Sequence, residues 1–226
     1  MKKITLLILI LQLGLYSIYG QDINQVNSDG ERHGLWKKYY PNKRIRYEGT
    51  FENGKEVGVF KFYSMNSSDN PMVIRTFAVD SGESLVQFFT AKGVLESEGK
   101  IIDKQRIGKW LYFHKDGKTV MIEENYENGK LSGEYKLFYE NKKLTKLTHY
   151  QNGREHGNCK QYSDSGILIE DVNYVQGQLH GPAIYYETSG QLKQKGSYEE
   201  DLRVGVWEIY KDGQLFSSKV VPTVKD

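Results

Sequence analysis

Three histidines of this chain, His33, His156 and His180, each stand immediately before a glycine, and that recurrence invites a metal centre. Zinc needs ligand nitrogens about 2.0–2.1 Å from the ion. Positions one repeat apart lie two strands apart in a sheet, roughly 9.6 Å, so imidazoles spaced in this way read as parts of a turn signature. His114 and His149 have no partner at ligand spacing. His156 with Cys159 offers a base and a thiol nucleophile, but the pattern supplies no third group to orient the base. Gly117-Lys118-Thr119 has the ending of a phosphate loop, yet Tyr112 takes the place of the leading glycine and no helix follows. Glu123-Glu124 and Glu199-Glu200-Asp201 alternate faces or sit at turns, so they do not pair as acid and base. The expectation is a chain without catalytic residues, cofactor or metal.

The glycine that follows each histidine is the stronger signal. Gly34, Gly58, Gly108, Gly133, Gly157, Gly181 and Gly205 recur with a period of about 24, and the fifth residue beyond each is Tyr39, Tyr63, Phe113, Phe138, Tyr162, Tyr186 and Tyr210. The wider gap between Gly58 and Gly108 holds a degraded copy near Gly82, marked by Phe88 and Phe89. A fixed period of this length belongs to a stacked array in which each unit buries its apolar surface against its neighbours.

Within one unit, Glu134 to Tyr139 is rich in strand formers, Glu140 to Lys143 breaks the run, and Leu144 to Tyr150 resumes it before Asn152-Gly153 turns the chain. That predicts two strands and two turns per repeat. Asn53-Gly54, Asn128-Gly129 and Asp212-Gly213 supply the positive φ angles of tight hairpins. The fold class is therefore all-β, an elongated array of hairpins in a thin, twisted antiparallel sheet of about fifteen strands. Ser64 to Gly82 interrupts the register with a longer turn.

Alternation places the second and fifth residues after the glycine on opposite faces. Trp36, Trp110, Tyr135 and Trp207 share the second place and are the candidate partner-binding residues, while Tyr39, Phe113 and Tyr210 face the other way. Cys159 occupies the same second place and reads as a small apolar residue filling an aromatic slot. It is the only cysteine, so no disulfide forms within the chain.

The chain opens Met1-Lys2-Lys3, runs apolar from Ile4 to Leu15 and reaches Gly20-Gln21, the pattern of a cleaved secretory signal peptide. The segments are then 1–20 signal peptide, 21–29 a short lead, 30–220 the repeat array, degenerate at 64–107, and 221–226 a tail. Removing residues 1–20 takes Lys2 and Lys3 and no acid, leaving 29 basic residues against 29 acidic ones. Lysines and glutamates are interleaved without a sustained positive stripe, which argues against nucleic acid and against direct membrane binding.

The runs Asn128-Gly129-Lys130-Leu131-Ser132-Gly133 and Asn152-Gly153-Arg154-Glu155-His156-Gly157, each leading into an aromatic strand, resemble MORN repeats. The resemblance is specifically to the variant in bacterial proteins named after the YwqK antitoxin, and it covers essentially all of residues 30 to 217. It implies an elongated hairpin sheet used for protein contacts, sometimes membrane contacts, and often for self-association, including a homodimer. The antitoxin label implies neutralising a partner toxin. Together with the leader, the expectation is an exported, non-enzymatic scaffold, secreted or held in the periplasm or envelope, that binds a protein partner. Its alternatives are a periplasmic or surface immunity protein and a carbohydrate or envelope-binding module.

Overall fold

The computed structural model describes residues 22–78 and 81–222. The expected leader at 1–20, and residues 223–226 of the tail, lie outside the described residues. Among the described residues there is no helix. Among the described residues twenty strands form one antiparallel sheet in which each long strand pairs with the next long strand in sequence. Four of the twenty, Gln25–Val26, Lys130–Leu131, Arg154–Glu155 and Gln178–Leu179, are two-residue pieces, so sixteen long strands replace the fifteen expected.

Two kinds of turn close the hairpins, and residue type separates them. Between repeats the chain reverses over two residues that both have positive φ, such as Asn128 at 51° with Gly129 at 77°, and Asn152 at 52° with Gly153 at 84°. Their twist matches that of the flanking strands. Within a repeat the turn is wider: the Gly117 N–H donates to the His114 carbonyl at 2.9 Å and the His114 N–H to the Thr119 carbonyl at 2.8 Å. Only the last turn residue there is left-handed, as at Lys43, Gly93, Gly117 and Lys142; the final hairpin is the exception, with Asp212 at 49° and Gly213 at 75°.

The repeat glycines have a common cause. In the Leu202–Lys211 strand the pairing steps from Ser197↔Val204 to Lys195↔Glu208, so two extra residues are accommodated around Gly205, whose φ is 66°. The same double bulge surrounds Gly58 and Gly108. A left-handed residue inside a strand is the glycine requirement read from the sequence.

The degraded copy lies two residues from where the glycine pattern puts it. Val86 pairs with Gly99 as Trp36 pairs with Gly49, and Phe89 pairs with Leu95 as Tyr39 pairs with Ile45. Ser84 is therefore the residue in the glycine slot, with Val86 second and Phe89 fifth. The pairing of Glu83–Phe89 with its preceding neighbour, Val73–Phe77, runs without a register shift. Without a bulge there is no need for positive φ, and a serine fits.

Candidate interaction surface

The sheet has two unlike faces. One carries ion pairs along successive hairpins, Lys37 with Glu48 at 3.2 Å, Lys160 with Asp171 at 2.8 Å and Lys195 with Glu208 at 3.0 Å. Exposed pairs of this kind contribute on the order of 0–1 kcal/mol each. The other face holds the packed interior: Phe51, Phe60, Val86, Trp110, Cys159, Val172, Ala183 and Trp207 are all buried.

Most of that interior is one row running across the strands, in which the second residue of each repeat alternates with its partner on the return strand. Sizes are matched along it. Gly49 is covered by Phe60, Gly99 by Trp110 and Gly196 by Trp207, and a Cβ on any of the three would overlap the ring. In two repeats the larger side chain is on the return strand and a small one follows: Thr148 precedes Cys159, and Val172 precedes Ala183. Cys159 is fully buried and burial pushes its thiol pKa up, an inert environment.

Of the four candidate anchors, Trp110 and Trp207 are 0% and 3% exposed. The Arg106 guanidinium stacks 4.2 Å from the Trp110 ring centroid and Arg203 lies 4.0 Å from that of Trp207. Their indole N–H groups donate to the carbonyls of Lys100 and Ser197, both at 3.1 Å. These two rings are structural and present no face to a partner. Trp36 and Tyr135 are half-buried. The clue available in the sequence was the glycine eleven residues ahead of Phe60, Trp110 and Trp207.

What the packed face does present is a tyrosine ladder that the glycine-centred pattern missed. Tyr126, Tyr150, Tyr174 and Tyr198 recur every 24 residues and pair with the repeat glycines Gly108, Gly133, Gly157 and Gly181. All four are half-buried. Tyr126 donates its phenol proton to Glu124 at 2.7 Å and accepts from Arg106 at 2.9 Å. The Tyr198 and Tyr185 hydroxyls are 3.2 Å apart.

A polar cluster lies at Tyr150 and Tyr174. Lys146 forms an ion pair with Glu155 at 2.8 Å, and Gln161 donates to Glu170 at 3.2 Å. Burial pushes the Glu170 carboxyl above its usual range, opposed by the Lys146 charge and the Gln161 bond. Burial alone would lower the Lys146 ammonium, but its bond to Glu155 together with the neighbouring Cys159, Glu155 and Tyr150 groups outweighs this and the net shift is upward. Burial, followed by the Glu155 charge, pushes the Tyr174 phenol up to about 12. At neutral pH the cluster therefore offers neutral phenols and a charged lysine beside the Glu155 and Glu170 side chains.

The histidines are spread along the turn end of the sheet. The His156 and His180 N–H groups donate to the carbonyls of His149 and Asn173 at 2.9 and 2.8 Å. Among the described residues no group of three or more His, Cys, Asp or Glu side chains is gathered to hold a metal ion.

Four segments, residues 32–53, 131–152, 155–176 and 179–200, match the family model described as MORN repeat variant. They are the hairpins that begin around Gly34, Gly133, Gly157 and Gly181. No curated protein matches the chain. Repeats of this kind generally mediate protein or membrane interactions and are typically non-catalytic.

Proposed function

We propose that this chain is an exported, non-enzymatic repeat scaffold of the bacterial envelope that binds a protein partner through the tyrosine ladder of its packed face. The observation that carries the reading is the alignment of Tyr126, Tyr150, Tyr174 and Tyr198 on alternate strands around the Lys146, Glu155 and Glu170 cluster. Tyrosine combines large contact area with few rotors and a polar tip, which suits an interface that is dry at its centre and wet at its rim. An immunity protein that neutralises a toxin is one form of this activity, and the toxin would then be the ladder's ligand. Crosslinking and mass spectrometry on native envelopes names the partner. Tyr150→Ala and Tyr174→Ala are then expected to weaken its binding at least tenfold while the protein stays folded. Unchanged affinity in both folded variants would remove the ladder from recognition.

A carbohydrate reading draws on the same residues, because tyrosines interleaved with Glu170 and Gln161 can stack on and hydrogen-bond to sugar rings. A panel of envelope glycans separates the two. Saturable binding of a purified glycan, lost in Tyr174→Ala, favours sugar over protein.

A further inference from the structure

Consecutive hairpins are tied together at their wider turns, and the residue just after the fifth-position aromatic makes the tie. The Tyr40 hydroxyl donates to the Tyr63 carbonyl at 2.9 Å, the Tyr139 hydroxyl to that of Tyr162 at 3.0 Å, and the His114 Nε2–H to that of Phe138 at 3.1 Å. Each ring spans from its own turn to the fifth residue of the next repeat. Two residues beyond the tyrosines a second tie follows: the Asn42 amide donates to the Met65 carbonyl at 2.9 Å, and the Asn141 amide to that of Asp164 at 3.1 Å. Tyr40-Pro41-Asn42 and Tyr139-Glu140-Asn141 are the same clasp, used twice.

The degraded copy lacks the clasp. After its fifth residue, Phe89, the equivalent positions are Thr90 and Lys92. The Thr90 hydroxyl accepts from the Lys92 and Val94 N–H groups of its own turn, at 3.2 and 3.1 Å, and is too short to reach the next hairpin. The acceptors that a clasp would take up there are the Phe113 and Lys115 carbonyls, and among the described residues no side chain donates to either. Where the ring and the amide would lie is an open cavity of about 620 Å³ between the two turns.

Other repeats without a ring in this place close the gap by different means. After Ser64 the long loop supplies a substitute, the Asn70 amide donating to the Ala91 carbonyl at 3.2 Å. Ser163 is 9% exposed, its hydroxyl 2.7 Å from that of Ser165 under its own turn. Glu187 pairs with Lys193 at 3.6 Å. At Thr90 the gap stays open. Its wall is apolar, from Val94, Leu95, Phe113 and Met121, and its rim carries Lys92 and Lys115 against one acid, Glu96. The volume lies within the ~300–1,000 Å³ of ligand sites. An apolar wall with a carbonyl acceptor beyond it suits a ring with a donor at its tip, as tyrosine has. Two lysines against one glutamate favour an acid beside that ring, as Glu140 stands beside Tyr139.

We infer that the cavity between Thr90 and Phe113 binds a tyrosine of a partner protein, presented in a Tyr-x-Asn segment whose middle residue is acidic. The ring lies against Val94, Leu95 and Met121 and its hydroxyl donates to the Phe113 carbonyl. The asparagine amide donates to the Lys115 carbonyl, and the acid faces Lys92 and Lys115. The partner thereby supplies the clasp that this chain makes for itself at Tyr40 and Tyr139 and omits at Thr90. In this chain the tripeptide sits in a hairpin turn that ends on the left-handed Lys142, so a turn is the conformation in which the partner segment fits. The site is separate from the ladder, whose Tyr150 and Tyr174 lie on the strands Leu144–Gln151 and Leu168–Val175.

The test is a titration of the ¹⁵N-labelled protein with the peptide acetyl-Tyr-Glu-Asn-amide, followed through the backbone amide signals of Val94, Leu95 and Lys115, with those of Tyr150 and Tyr174 as a control away from the cavity. Saturable shifts are expected at the first three and none at the last two. Acetyl-Phe-Glu-Asn-amide, which lacks the hydroxyl, is expected to bind about fivefold more weakly, the loss of one hydrogen bond. Thr90→Tyr and Thr90→His, patterned on Tyr139 and His114, close the cavity with the chain's own ring and should abolish saturation with an unchanged circular dichroism spectrum. An absence of saturable shifts in wild type, equal affinity for the phenylalanine peptide, or undiminished binding by a folded Thr90 variant would overturn the inference. Tyr150→Ala should leave this binding unchanged, so the ladder reading and this one fail separately.

Discussion

The indole of Trp110 lies over the backbone of Gly99 on the preceding strand, in space that a β-carbon there would fill. Gly49 with Phe60 and Gly196 with Trp207 repeat the arrangement. Thr148 with Cys159 and Val172 with Ala183 invert it, bulk moving to the return strand and small residues following. Each hairpin therefore shares one packing volume with the next. That sharing makes a single sheet self-supporting without a second layer, as nearest-neighbour coupling in stacked arrays requires.

Gly99→Ala is expected to destabilise the protein by about 1–3 kcal/mol, the range for overpacking a filled site. Trp110→Ala alone is expected to cost about 3–5 kcal/mol. Because both act on one volume, the double variant should be more stable than the sum of the two losses predicts. Urea unfolding of the four proteins measures this, and strict additivity would show that the contact is not shared.

Cys159 is expected to react with thiol reagents only when the protein opens. It is fully buried and its thiol is pushed up by burial, so labelling at pH 7.5 should follow unfolding and accelerate with denaturant. Cys159→Ala should fold and bind as wild type does, whereas Cys159→Trp should unfold the chain, because Thr148 occupies the space that glycine leaves ahead of the other tryptophans. Rapid labelling of the native protein would contradict this.

Burial raises the Glu170 carboxyl above the 4.5 usual for a glutamate. The folded state then holds its proton more tightly than the unfolded state, so the stability this group provides is complete below the unfolded pKa and is lost as pH rises through the folded one. Glu170→Gln is expected to be more stable than wild type at pH 7, with the difference vanishing on acidification below 4.5. Thermal midpoints of the two proteins from pH 4 to 7 decide it. A constant offset would mean that the carboxyl does not titrate against its buried surroundings.

Period, hairpins and turn chemistry were legible because each has a local cause. Asn128-Gly129 and Asn152-Gly153 do carry the paired positive φ values that their types suggest. Register was legible only where a glycine marked the bulge, and Ser84 was missed because the unbulged strand around it needs none. The burial of Trp110 and Trp207 depends on Gly99 and Gly196 in a different strand, and a one-strand alternation pattern does not encode that. Tyr126, Tyr150, Tyr174 and Tyr198 keep the period as faithfully as the glycines do, but their meaning rests on the pairing that sets them against those glycines.

Two equivalent return-strand positions, Asn173 and Ser197, separate side-chain support of a bulge from backbone support. The Asn173 amide donates to the Pro182 carbonyl at 2.9 Å, so its side chain replaces a ladder bond that the bulge breaks. At Ser197 the same position acts through its main-chain carbonyl, which takes the Trp207 indole at 3.1 Å. Asn173→Leu should therefore lose that hydrogen bond at a site open to water and cost about 0.5–1.5 kcal/mol. Ser197→Leu should cost clearly less, since its carbonyl and the indole remain. Equal losses in urea unfolding would place the effect in the bulk of leucine rather than in the hydrogen bond. A larger loss at Ser197 would reverse the assignment of the two devices.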